Sequence, residues 1–217
     1  MSIPPPEPRW PAVVALFAAA LLPLALPRAL TLAPAWVLVP TNAVLLTGAI
    51  LAHRHNRIKL TDSFSYTNLG LLTLSMLYSI LKLLFGLVNH AVPASKLLQS
   101  AAILWFANVI VFAAWYWRLD AGGPHVRESR MAHMEGAFLF PQMATDAPGR
   151  KGVSLAEAEG WRPGFIDYLA ISFYTCTAFS PTDVQVLTRW AKLMMMVQAV
   201  MAFGTVILLT ARAVNIL

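Results

Sequence analysis

Apolar residues fall along this chain in long unbroken blocks. They lack the strict alternation of a half-buried strand and the one-faced rhythm of a surface helix. Lipid-exposed backbone must satisfy its own hydrogen bonds, and about 20 residues of helix cross a hydrocarbon core. The blocks predict spans over about 11–32, 35–52, 66–88, 97–117 and 186–214. Pro23 and Pro27 interrupt the first, which is expected to be bent or short. A further block, Phe165–Phe179, is only 15 residues long and predicts a re-entrant helix or a short sixth span. Residues 118–162 form a polar loop punctuated by Gly and Pro. In it, "FLFPQ" is expected to pack on the membrane face and "SLAEAE" to form a turn of surface helix. The expected fold class is all-α, a polytopic membrane helix bundle. It has five spanning helices plus the short one, in a single integral membrane domain over 1–217.

Composition strengthens the membrane reading. The chain is 58% hydrophobic and 12% charged, with a mean hydropathy of +0.63. Soluble domains carry about twice that charge. The net charge of +6 sits in loops and span ends, which sets orientation and gives no nucleic-acid platform. "HRHNRIK" holds Arg54, Arg57 and Lys59, whereas the next turn holds only Lys96, so "HRHNRIK" is expected in the cytoplasm. Two crossings later the polar loop, with Arg127, Arg130, Arg150, Lys151 and Arg162, falls on the same side. A full crossing at 165–179 puts the C-terminus inside; a re-entrant helix puts it outside. "WYWR", ending at Arg118, reads as an aromatic belt with a snorkelling arginine. The expected location is the inner membrane, multi-pass, with the lipid bilayer as partner and no nucleic acid.

Polar residues inside the spans are the next signal. Asn68, Ser75, Lys82 and Asn89 are seven apart, and Ser79 shares their face. An unpaired ammonium deep in a span costs about 2.5–3.5 kcal/mol on insertion scales. The intramembrane carboxylate on offer to Lys82 is Asp167. The readings are a structural Lys82–Asp167 pair, a snorkelling lysine, or an ion or substrate path. Gln198, Thr205 and Arg212 make a similar stripe in the last span, and Asn42 and Asn108 read as interhelical glue.

The single cysteine, Cys176, excludes an intramolecular disulfide and reads as a small buried hydrophobe. All five histidines lie in loops, and the methionines of "KLMMMVQAVM" read as packing. There is no G-x-S-x-G, H-E-x-x-H or Walker loop. No catalytic residue, metal site or cofactor is expected, and the chain is not read as an enzyme.

Two resemblances follow. "DYLAISFYTCTAFSPTD" resembles the pore-loop domain of the potassium-channel superfamily. It supplies an acidic start at Asp167, an apolar helix ending in Thr175 and Thr177, and Asp183 before a final long helix. By that resemblance 97–117 is the outer helix, 186–217 the inner one, and Thr175, Thr177, Ala178, Phe179, Ser180, Pro181, Thr182 and Asp183 the pore-loop candidates. The filter departs from the family, because Ser180 and Thr182 replace its glycines and Pro181 fixes φ. Potassium selectivity is therefore not implied. "SPTD" also fits a plain helix start, with Ser180 as N-cap, Pro181 first and Asp183 in the capping-box place. Across most of its length, through "FLFPQ", "AFSPTD" and "ARAVNIL", the chain is similar to a group of uncharacterised bacterial multi-pass membrane proteins.

The leading expectation is a channel-like protein that assembles around 165–183, as a homo-tetramer, and passes a small inorganic ion. One alternative is a transporter or small-molecule-binding membrane protein using Lys82 and Asp167. The other is a non-catalytic structural or partner-binding membrane protein that uses the long loop.

Overall fold

Where the apolar blocks are free of proline, they wind into long helices. The computed structural model describes residues 7–86, 94–129, 136–143, 161–180 and 183–214. Helix α1 is Trp10–Leu21, α2 Ala35–Arg54, α3 Ile58–Gly86 and α4 Ala94–Leu119. Helix α5 is Pro124–Glu128, α6 Phe165–Ala178 and α7 Arg189–Val214. Two short strands, β1 (Phe138–Leu139) and β2 (Gln185–Val186), pair antiparallel. Among the described residues, four helices are long and apolar enough to cross a membrane, namely those carrying α2, α3, α4 and α7. A helical fold with four such helices is that of a membrane protein.

The first predicted span is not one of them. Helix α1 stops after 12 residues. Pro23 starts a 3₁₀ turn at Leu22–Leu24, and Pro27 precedes another at Arg28–Leu30. Each proline lacks the N–H that a continuing helix needs. By contrast Pro40 lies inside α2 without ending it.

The chain groups into two compact units. One comprises Met1–Ala12 with Phe112–Ala199; the other comprises Val13–Val111 with Val200–Leu217. In the second, α2 and α3 form a tight antiparallel hairpin. Helix α2 ends in a Schellman motif: the Arg57 N–H donates to Ala52 O at 2.9 Å and the Asn56 N–H to His53 O at 2.9 Å. Asn56 takes the left-handed position with φ 57°. The turn is therefore tighter than the predicted "HRHNRIK" loop, and α3 already begins at Ile58. Leu38, Leu46, Leu69, Leu72 and Leu83 fill this unit's core.

The core of the first unit is aromatic. Phe138 and Phe140, from "FLFPQ", are buried rather than laid on a membrane face. Phe138 meets Tyr116 edge-on at 5.2 Å, and Phe140 meets Tyr168 at 5.6 Å and Trp161 at 5.5 Å. "WYWR" is not an interfacial belt either. Tyr116, Trp117 and Arg118 are all buried: Phe138 packs on Tyr116, and Phe165 and Glu7 meet Trp117. "SLAEAE" lies outside the described residues.

Candidate functional site

Helix α6 is built to stand rigidly. Its first turn is closed by Asp167, whose Oδ2 accepts the Gly164 N–H at 2.7 Å. An acid there also suits the positive helix end. The helix ends at Phe179, which adopts the left-handed conformation, φ 54° and ψ 26°. A non-glycine residue in that region is strained by about 1–2 kcal/mol. Strain of this kind persists only where surrounding contacts hold the backbone.

The middle of α6 is held by contacts that are polar and fully buried. Gln198 of α7 is inaccessible to solvent. Its Oε1 accepts the Tyr116 hydroxyl at 2.5 Å. Its Nε2 donates to Ser172 Oγ at 2.6 Å, to Ser172 O at 3.1 Å and to Cys176 Sγ at 3.1 Å. One glutamine thus ties α4, α6 and α7 together. Gln198 stands out in the sequence as a polar residue in a span, but Tyr116, Ser172 and Cys176 give no sign of being its partners.

A second buried network sits at the end of α4. Asp120 is inaccessible and accepts the Tyr168 hydroxyl at 2.7 Å and the Ala137 N–H at 2.5 Å. Arg127, also buried, donates to the carbonyls of Trp117 at 2.8 Å and Asp120 at 2.9 Å and to Glu7 Oε2 at 3.2 Å. These bonds cap the C-terminal carbonyls of α4. Its guanidinium also lies over the Tyr168 ring, 5.2 Å from the centroid. The Trp117 indole N–H donates to Glu7 Oε1 at 2.5 Å. Burial pushes the Glu7 carboxyl above the usual range, with Arg127 pulling the other way. Glu7, Asp120 and Arg127 were not candidates in the sequence, because loop charges carry no periodic signal.

The two anchors fix a direction. Phe138 packs edge-on against both Tyr168 of α6, at 6.1 Å, and Trp190 of α7, at 6.3 Å. Further along, Gln198 meets Ser172 and Cys176. Helices α6 and α7 therefore start at the same level and run the same way. The chain between them turns back. Strand β2 pairs with β1, with Gln185 opposite Leu139, and the Leu187 N–H donates to Ala137 O at 2.8 Å. Asp183 and Val184 line a pocket of about 140 Å³ together with Asp167, Ala170, Tyr174 and Gln142.

The predicted pore-loop residues divide sharply. Thr175 is buried and its hydroxyl donates to Ile171 O at 2.8 Å. Thr177, Ala178, Phe179, Ser180 and Asp183 are exposed, and the Thr177 hydroxyl donates to Phe173 O at 2.9 Å. Pro181 and Thr182 lie outside the described residues. The helix start expected at "SPTD" is corrected: α7 begins at Arg189, because β2 pairing holds 185–186 extended.

The intramembrane candidates are also placed. Asn68, Ser75, Ser79, Gln198 and Thr205 are buried. Lys82 departs from its stripe. It is exposed, its ammonium 5.6 Å from the centre of the Tyr78 ring, and it lies in the C-terminal part of α3, which ends at Gly86. A seven-residue step drifts by about 20° on a straight helix, so two steps from Asn68 carry Lys82 off the face. Asp167 belongs to the other unit and is engaged with its own helix start. Asn89 and the Arg212 side chain lie outside the description.

Among the described residues, no three His, Cys, Asp or Glu side chains come together as a metal site. No known protein family, curated protein or solved structure matches this chain.

Proposed function

We propose that this chain is a channel-like integral membrane protein of the inner membrane in which 165–183 is a re-entrant pore loop. The observation that supports it is the return after α6. Helices α6 and α7 start side by side on Phe138, and the segment joining them comes back to pair with β1. A helix that simply crossed would leave its far end on the opposite side.

The chemistry of the turn supports a cation. Thr177, Ser180 and Asp183 are exposed, and α6, which carries Thr177, is held by the Gln198 anchor. Asp183 shares its pocket with Asp167, which places two carboxylates at the mouth of the return. Four such turns around an axis make a ring of hydroxyls and carboxylates, so a homo-tetramer is the assembly that uses them. Such a ring selects by side-chain charge and pore width, not by a glycine-dependent carbonyl filter.

The test is ion flux in liposomes containing the purified chain. Sodium and potassium should pass with little discrimination and chloride should not. Asp183→Asn should lower cation flux several-fold without lowering the amount of folded protein. Absence of flux for every common ion would end this reading.

A further inference from the structure

The second unit carries a groove that the pore-loop reading does not use. It runs between α2 and α3 near the turn that joins them, with a volume of about 440 Å³. Its walls are Leu51, Leu60 and Phe64, and its open end carries His55 and Arg57. Leu51 and Leu60 are 50% and 43% exposed. Gly48 makes the floor possible. A Cβ at that position would come within 3.2 Å of the Phe64 ring, so the ring lies where any side chain would stand.

The basic end is set by the backbone. The left-handed Asn56 and the Schellman bonds carry the chain across the top of the groove, from the last residue of α2 to the first of α3. From 53 to 59 the sequence reads His, Arg, His, Asn, Arg, Ile, Lys, with no acid before Asp62. The first amide groups of α3 open beside Arg57 and add to the positive potential. The ligand that matches both ends carries a phosphate and a long apolar chain.

We propose that this groove holds one anionic phospholipid, with its headgroup phosphate at His55 and Arg57 and an acyl chain along Leu51, Leu60 and Phe64. Basic pockets between membrane helices take acidic headgroups in this way. A free phosphate uses only the rim and leaves the apolar walls unexplained.

The experiment uses the whole chain purified in a neutral detergent. Lipid retained per chain is counted by native mass spectrometry, and the unfolding temperature is followed on adding phosphatidylglycerol, phosphatidylcholine of the same chain length, or inorganic phosphate. Phosphatidylglycerol should be retained at one per chain and raise the unfolding temperature; the other two should not. Arg57→Gln should weaken phosphatidylglycerol binding about 5-fold. Gly48→Leu, which would push the Phe64 wall out of place and leaves every charge in place, should weaken it too. If that variant does not fold by circular dichroism, the exposed Leu51→Gln replaces it. Equal retention of phosphatidylcholine, unchanged binding in either variant, or a full thermal shift from phosphate alone would each overturn the proposal.

Discussion

Gln198 shows how much one side chain carries here. It holds its two neighbouring helices through four contacts, all buried. Removing one partner strands a buried polar atom, which costs more than the bond itself is worth. Tyr116→Phe should therefore lower stability by about 1–3 kcal/mol, seen as a lower unfolding temperature in detergent. Gln198→Leu should cost more alone, and the double variant less than the sum, because the two share one bond. Asn56 makes the complementary case at the backbone. Its left-handed φ suits Asn and Gly but not a β-branched residue. Asn56→Gly should leave stability nearly unchanged, whereas Asn56→Val should lower it by about 1–2 kcal/mol in the same melt.

At the scale of elements, the short helix α6 is decided by its neighbours. Fourteen residues rise about 21 Å, short of a core about 30 Å thick, so length alone leaves open a thinned crossing or a re-entrant arm. The β1–β2 pair bears on that choice because it binds the segment after α6 to the loop before it. Its register is directly testable. Leu139→Cys with Gln185→Cys, in a Cys176→Ala background, should cross-link in the membrane on mild oxidation or with a short bifunctional reagent. A partner cysteine placed at Phe179, at the far end of α6, should not. The reverse result would break the return that supports the pore-loop reading.

For the whole molecule, the prediction concerns sides of the bilayer. On the re-entrant reading, α3 and α4 cross twice from the "HRHNRIK" turn and α6 does not cross. Helix α7 should then carry the C-terminus to the side opposite that turn. Reporters fused at the C-terminus and inserted at residue 56 should give opposite readouts. With the positive-inside bias the turn is cytoplasmic and the C-terminus outside. Matching readouts would mean that α6 crosses.

The membrane helices at 35–52 and 97–117 were legible to within a few residues, because continuous apolar runs of that length have few alternatives. The buried faces of Asn68, Ser75 and Ser79 were legible too, since helical spacing repeats whatever the neighbours are. The first span was legible only in its interruption: the prolines mark where α1 ends but not that it stays short of a crossing. Tertiary structure alone decided the rest. "FLFPQ" and "WYWR" look interfacial in sequence, but contacts with each other and with residues as far away as Glu7 bury them. "SPTD" has the chemistry of a helix start, yet pairing with Phe138 and Leu139 far earlier in the chain keeps the chain extended past it. Local sequence determines what a segment can do by itself. Which of its options it takes depends on contacts with residues far along the chain, and no local pattern records them.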